Sequence, residues 1–153
     1  GVPGPAGTGL GAYGGLYNST AQTPAITTGG TFVQVVLDTA LPSLDVTTGT
    51  SSITIAETGD YEITYNLDLT GTTADTYISA ARVNGTTIAQ SSTTQTSAGS
   101  GATFSTRLGN SAIVSLVAGD VVDLGITTSA TPTGTTTINA NGSAILTVKK
   151  LSD

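Results

Sequence analysis

Five carboxylates stand close enough in sequence to share chemical work: Glu57, Asp60 and Glu62 around one turn, Asp120 and Asp123 around another. Paired carboxylates would do general acid–base or glycosidase chemistry if they converged in a cleft, one protonated and one ionised. Their surroundings point to structure instead. Asp60 and Asp120 each follow a glycine, which is ordinary turn chemistry. Glu62 alternates with an apolar set, so its side chain is expected to face solvent. Oxygen ligands from such loops would suit a calcium ion, but no EF-hand spacing is present and no metal site is assigned. Gly9-Leu10-Gly11-Ala12-Tyr13-Gly14 matches the dinucleotide-binding fingerprint. That mechanism needs a strand before it, a helix after it and an acidic residue about 20 positions on. Gly/Pro triplets precede it and no helical pattern follows, so it reads as a Gly-rich neck. Asn18-Ser19-Thr20, Asn84-Gly85-Thr86 and Asn141-Gly142-Ser143 are N-glycosylation sequons. Two of them coincide with Asn-Gly turns, which account for the asparagine without a glycan. An isopeptide cross-link needs a Lys beside an Asn on a neighbouring strand, and the only lysines, Lys149 and Lys150, lie in the last strand.

Composition narrows the chemistry further. The 153 residues include no Cys, His, Met or Trp. Disulfides, thiolate or imidazole metal sites, haem ligation by His or Met, and Ser-His-Asp or Cys-His nucleophiles are thereby excluded. Four Lys+Arg against ten Asp+Glu leave a formal charge of −6. So few cations cannot neutralise many phosphates, which argues against nucleic acid and against a polybasic membrane patch. No stretch stays apolar for the roughly 18 residues that span a membrane, and the chain opens with neither the n-region nor the h-region of a signal peptide. No cofactor is expected.

The elements that must position these residues are strands. There are 32 Thr and 15 Ser beside 20 Gly, and β-branched Thr fits a half-exposed strand. The clearest strand is 61–69, where Tyr61, Ile63, Tyr65, Leu67 and Leu69 alternate strictly with polar residues. Residues 77–83 and 86–90 flank Asn84-Gly85, the pair that a type I′ hairpin turn prefers. Residues 31–37, 52–55, 104–108, 112–117, 121–127, 135–138 and 143–148 complete a series of eight to ten short strands. Gly119-Asp120 and Asn141-Gly142 supply further turns, and the Ser/Thr/Gly-rich stretch 91–101 is expected to be a long exposed loop. This is the pattern of an all-β sandwich or jelly roll. Ahead of it, Gly1, Gly4 and Gly7 fall on every third position with Pro3 and Pro5 between, the collagen register. Two domains are therefore expected: 1–20, the end of a collagen-like stalk and a flexible neck, and 21–153, a β-rich head.

Collagen triplets followed by one β-rich domain resemble the C1q/TNF-like trimeric heads. Gly59-Asp60-Tyr61-Glu62-Ile63-Thr64-Tyr65 is similar to that family's G-x-Y-x-F-x-[FY] element, with Ile63 replacing the usual aromatic. Residues 117–122 resemble its late Gly-Asp turn and residues 144–151 its closing strand. The whole chain resembles the C-terminal head of BclA-type exosporium glycoproteins, the collagen-like filaments on spores of bacilli. The match covers the stalk end, the neck Leu10-Gly11-Ala12-Tyr13-Gly14-Gly15 and the Thr-rich sandwich without His or Cys.

The resemblance implies a C1q/TNF-like jelly-roll β-sandwich that forms a homotrimer and caps a collagen stalk on the spore surface or its appendages, an extracellular location. It further implies that aromatic and aliphatic residues of the inner sheet meet on the three-fold axis. Tyr61, Ile63, Tyr65, Phe104 and Ile126 are the candidates, and the sequence does not separate those facing the axis from those in the sandwich core. The leading function is a non-enzymatic structural head that trimerises and displays a surface filament, with adhesion as an added role. The alternative is an adhesin or phage-fibre head that binds a host-surface protein or glycan through loops 70–75 and 91–101. An enzyme such as a depolymerase fits least, because the carboxylates are few and sit in turns.

Overall fold

A computed structural model of the chain describes residues 11–72, 75–97 and 103–153. The collagen register of Gly1, Gly4 and Gly7 and the end of the 91–101 stretch lie outside the described residues. The strands are β1 (Tyr13–Tyr17), β2 (Val33–Gln34), β3 (Thr39–Ala40), β4 (Val46–Thr48), β5 (Ile53–Ile55), β6 (Gly59–Gly71) and β7 (Thr76–Val83). They continue with β8 (Thr86–Thr87), β9 (Thr93–Thr96), β10 (Phe104–Leu116), β11 (Val121–Thr128), β12 (Thr136–Ile138) and β13 (Ala144–Ser152). All pairings are antiparallel and form two sheets. One runs β10-β6-β13-β1-β3, with β12 beside β6. The other runs β4-β5-β11-β7-β8, with β2 beside β11 and β9 beside β7. The chain passes repeatedly from one sheet to the other, as from β6 to β7 and from β10 to β11, which makes the sandwich a jelly roll.

Alternation in β6 builds the core. Tyr61, Ile63, Tyr65, Leu67 and Leu69 are fully or almost fully buried, and the residues between them are not. Directly paired residues share a face, so Leu146 and Val148 of β13 and Leu108 and Ala112 of β10 join the same inward set. Val122, Leu124 and Ile126 of β11 meet them from the second sheet. Tyr65 also fastens the sheets together. Its hydroxyl donates to the Ser91 carbonyl at 2.6 Å and lies 3.0 Å and 3.1 Å from the Ser79 and Thr93 hydroxyls. Burial pushes this phenol's pKa up, against the hydrogen bonds from Ser79 and Thr93.

Several boundaries differ from the sequence reading. The expected neck is not a linker: Tyr13–Tyr17 is a strand paired with both β13 and β3. The head therefore includes at least residues 12–20, rather than starting at residue 21. Residues 91–101 are not simply a loop. Ala89–Ser91 is a short 3-10 turn and Thr93–Thr96 is a strand. Ser91 is buried, its hydroxyl donating to the Ile88 carbonyl at 2.7 Å and accepting from the Ala81 N–H at 2.9 Å. The separate strands expected at 104–108 and 112–117 are one, because β10 pairs with β6 without a break from Phe104↔Gly71 to Leu116↔Gly59. The Asn84-Gly85 hairpin forms as expected, with φ of 52° and 81°, both in the left-handed region that a type I′ turn requires.

Candidate assembly surface

Four of the five aromatic and aliphatic candidates for a three-fold contact do not lie on a surface. Tyr61, Ile63, Tyr65 and Ile126 are wholly buried within the single chain, which leaves no area of theirs for a partner. Ile126 also belongs to β11, in the opposite sheet from β6. Phe104 is half-buried and packs against Tyr77, with ring centroids 5.3 Å apart. The odd-numbered positions of β6 make the sandwich, so a contact through this sheet must use their even-numbered neighbours.

Pairing registers place those neighbours in rows across the outward face. Ile113, Glu62, Lys149 and Tyr13 form one row. Ser111, Thr64, Thr147 and Gly15 form the next, and Gly109, Asn66, Ile145 and Tyr17 the third. Arg107 and Asp68 stand opposite each other beyond them. Most charge on this face is matched in pairs, Asp60 at its margin being held by serine hydroxyls instead. Lys149 meets Glu62 at 3.1 Å, and the Arg107 guanidinium grips Asp68 with two bonds of 2.6 Å and 3.0 Å. The Thr64 and Ser111 hydroxyls bond to each other at 2.9 Å. Ile113, 63% exposed, is the most exposed large hydrophobic among the described residues. Sequence reasoning passed over it. Its signal was the run Ala112-Ile113-Val114, three apolar residues in a strand where one-sided burial would give alternation.

A recess of about 460 Å³ opens at the other side of this face, lined by Tyr13, Gly15, Leu41, Pro42, Thr147 and Lys149 among others. Gly15 lets Leu41 pack directly onto the strand backbone beside it. A Cβ on Gly15 would stand 2.8 Å from the Leu41 Cδ1 and 2.9 Å from the Leu146 carbonyl oxygen. A second, more polar recess of about 400 Å³ is lined by Asp68, Thr70, Ser105, Arg107 and Asn139 among others.

The second sheet turns no comparable surface outward along β11, where every residue but Val121 is buried. Arg82 and Phe32 lie over Gly125, where an added Cβ would come within 3.0 Å and 3.1 Å of them. Arg82 also grips Asp123 through bonds of 2.7 Å and 2.8 Å, and Gln34 Nε2 donates to the same carboxylate at 3.0 Å.

The carboxylates weighed as catalytic pairs are taken up singly by structure. Asp60 accepts from Ser115 at 2.6 Å, Glu57 holds Lys150 at 3.1 Å, and Asp120 accepts from the Asn84 side chain and the Val117 N–H, each at 2.9 Å. Glu62 is half-exposed on the outward face, as its alternation implied. Lys150 also donates to Asp153, and these two carboxylates raise its pKa. Among the described residues no three His, Cys, Asp or Glu side chains gather as a metal site would require. No described helix is long and apolar enough to cross a membrane. The Asn18 sequon is closed to a glycan: its side chain is buried, donating to the Asn139 carbonyl at 2.6 Å and accepting from the Ala144 N–H at 2.7 Å.

No protein-family model and no curated protein matches the chain. Among solved structures it is similar to Eiger TNF from S. frugiperda, with a TM-score of 0.68 over 92% of each chain and 16% sequence identity. The fold is thus a TNF-like jelly-roll sandwich.

Proposed function

We propose that this chain is a non-enzymatic structural head that forms a homotrimer through the outward face of the β10-β6-β13-β1-β3 sheet. In this reading it caps a collagen-like filament on bacterial spores, in the exosporium or a spore appendage. The observation that carries the reading is the asymmetry between the sheets. The second covers its β11 with its own side chains, and the first leaves Ile113 exposed and Tyr13, Tyr17 and Ile145 only half-buried. Such a face suits another copy of the same chain. Two molecules of charge −6 repel each other over most of their surface, but the Lys149–Glu62 and Arg107–Asp68 pairs cancel four of this face's charges and leave Asp60, at its margin, without a cation.

The collagen register of Gly1, Gly4 and Gly7 supplies the reason for three copies. A triple helix needs three chains in register, and a self-assembling head brings them together at high effective concentration. The resemblance to BclA-type heads supports the spore location. The test adds Gly-X-Y triplets ahead of Gly1 and compares trypsin resistance and triple-helix circular dichroism with and without the head. The reading expects a resistant triple helix that reforms quickly after melting only when the head is present. Equal refolding without the head would overturn it. Antibody against the head should label intact spores at their outermost layer.

A receptor- or glycan-binding role is the second reading. It is favoured by the polar recess of Asp68, Thr70, Ser105, Arg107 and Asn139, beside the start of loop 70–75. A glycan array with a hit lost on Thr70→Ala and Ser105→Ala would move it ahead.

A further inference from the structure

Resting on the trimer reading, we propose that the ring closes by a knob-and-recess contact between unlike edges of one sheet face. Ile113 of one copy seats in the recess that Tyr13, Gly15, Leu41, Pro42 and Thr147 form on the next.

A closed three-fold ring needs a heterologous interface, in which one patch of each copy meets a different patch of its neighbour. The outward face carries two such patches. The protruding one is on β10, a terminal strand of its sheet, where Ile113 projects from the row that runs through Glu62 and Lys149 to Tyr13. The receding one is at β1 and residues 41–42, beyond two intervening strands. Three inter-strand steps separate Ile113 from Tyr13, about 14 Å, so one copy cannot fill its own recess with its own knob. Leu41 packs against the bare backbone of Gly15, and the recess beside them, about 460 Å³, admits a branched aliphatic side chain with its strand neighbours. Charge agrees with a second copy as the occupant. The only cation at the recess, Lys149, is already paired with Glu62, so a neutral aliphatic group enters without stranding a charge.

Absence of cysteine from the chain makes the test direct. Ile113→Cys and Pro42→Cys, both at exposed positions, are made singly and together, then treated with a short bis-maleimide at native concentration. Unchanged melting temperatures establish that each variant is folded. The knob-and-recess contact predicts that neither single variant cross-links to itself, that a mixture of the two gives covalent dimers, and that the double variant gives covalent trimers. Self-linking of Ile113→Cys, or covalent dimers as the end point of the double variant, would overturn the contact in favour of a two-fold arrangement. A protein whose mass shows three chains but which forms no link between copies would overturn the contact and leave the trimer standing. A single-chain mass would overturn both.

Discussion

The two sheets answer the same problem, an outward face, in opposite ways, and one Arg–Asp pair on each displays the contrast. Arg82 and Asp123 make a bidentate pair with both side chains 12% exposed, held under Gln34 and over Gly125. Arg107 and Asp68 make the same bidentate pair with side chains 71% and 37% exposed. The first completes the single chain's own surface. The second lies on a face that is left open. Identical chemistry therefore carries different consequences, because screening by water decides what an ion pair contributes.

That contrast can be broken by mutation. Arg82→Ala leaves Asp123 charged and unpaired in a nearly closed site and should cost about 3–5 kcal/mol in denaturant unfolding. A cost below about 1 kcal/mol would mean that this face is as wet as the other. Tyr65→Phe tests what joins the sheets. It strands the Ser91 carbonyl and the Ser79 hydroxyl, while Thr93 keeps its bond to the Gly109 carbonyl, at about 1–3 kcal/mol. The same residue gives a pH dependence. Burial raises the folded-state pKa of Tyr65, and of Tyr61, above the ordinary tyrosine value. Above about pH 10 the unfolded chain therefore releases phenolic protons that the folded chain retains. Stability is fully present below that pH and falls as pH rises through it, and Tyr65→Phe should flatten the fall. Arg107→Ala, on the open face and screened by water, should leave the unfolding midpoint nearly unchanged; a loss matching that of Arg82→Ala would erase the distinction between the faces.

Much of the fold was legible because its signals are local. Strict alternation fixed β6, and Asn84-Gly85 fixed a hairpin whose backbone angles only such residues adopt readily. Strand β1 was not legible. Gly14 and Gly15 lower strand propensity, and the reason for them is tertiary: a Cβ on Gly14 would stand 2.5 Å from Val46 Cγ2, and one on Gly15 would meet Leu41. The residues expected at a three-fold contact fell in the core for a related reason. Alternation says that β6 has one apolar face, but in a sandwich that face turns inward to the other sheet. Choosing Tyr61, Ile63 and Tyr65 for a partner therefore chose the core. The residue that breaks alternation is Ile113, an apolar side chain at an outward position.

The central claim is that the open face joins copies of this chain, and absolute mass by light scattering over a range of concentrations tests it most directly. The account predicts about three times the 15.0 kDa chain mass for the native sequence and a single chain of unchanged circular dichroism for Ile113→Asp. A native protein that remains at one chain mass, or an Ile113→Asp variant that remains trimeric, would contradict it.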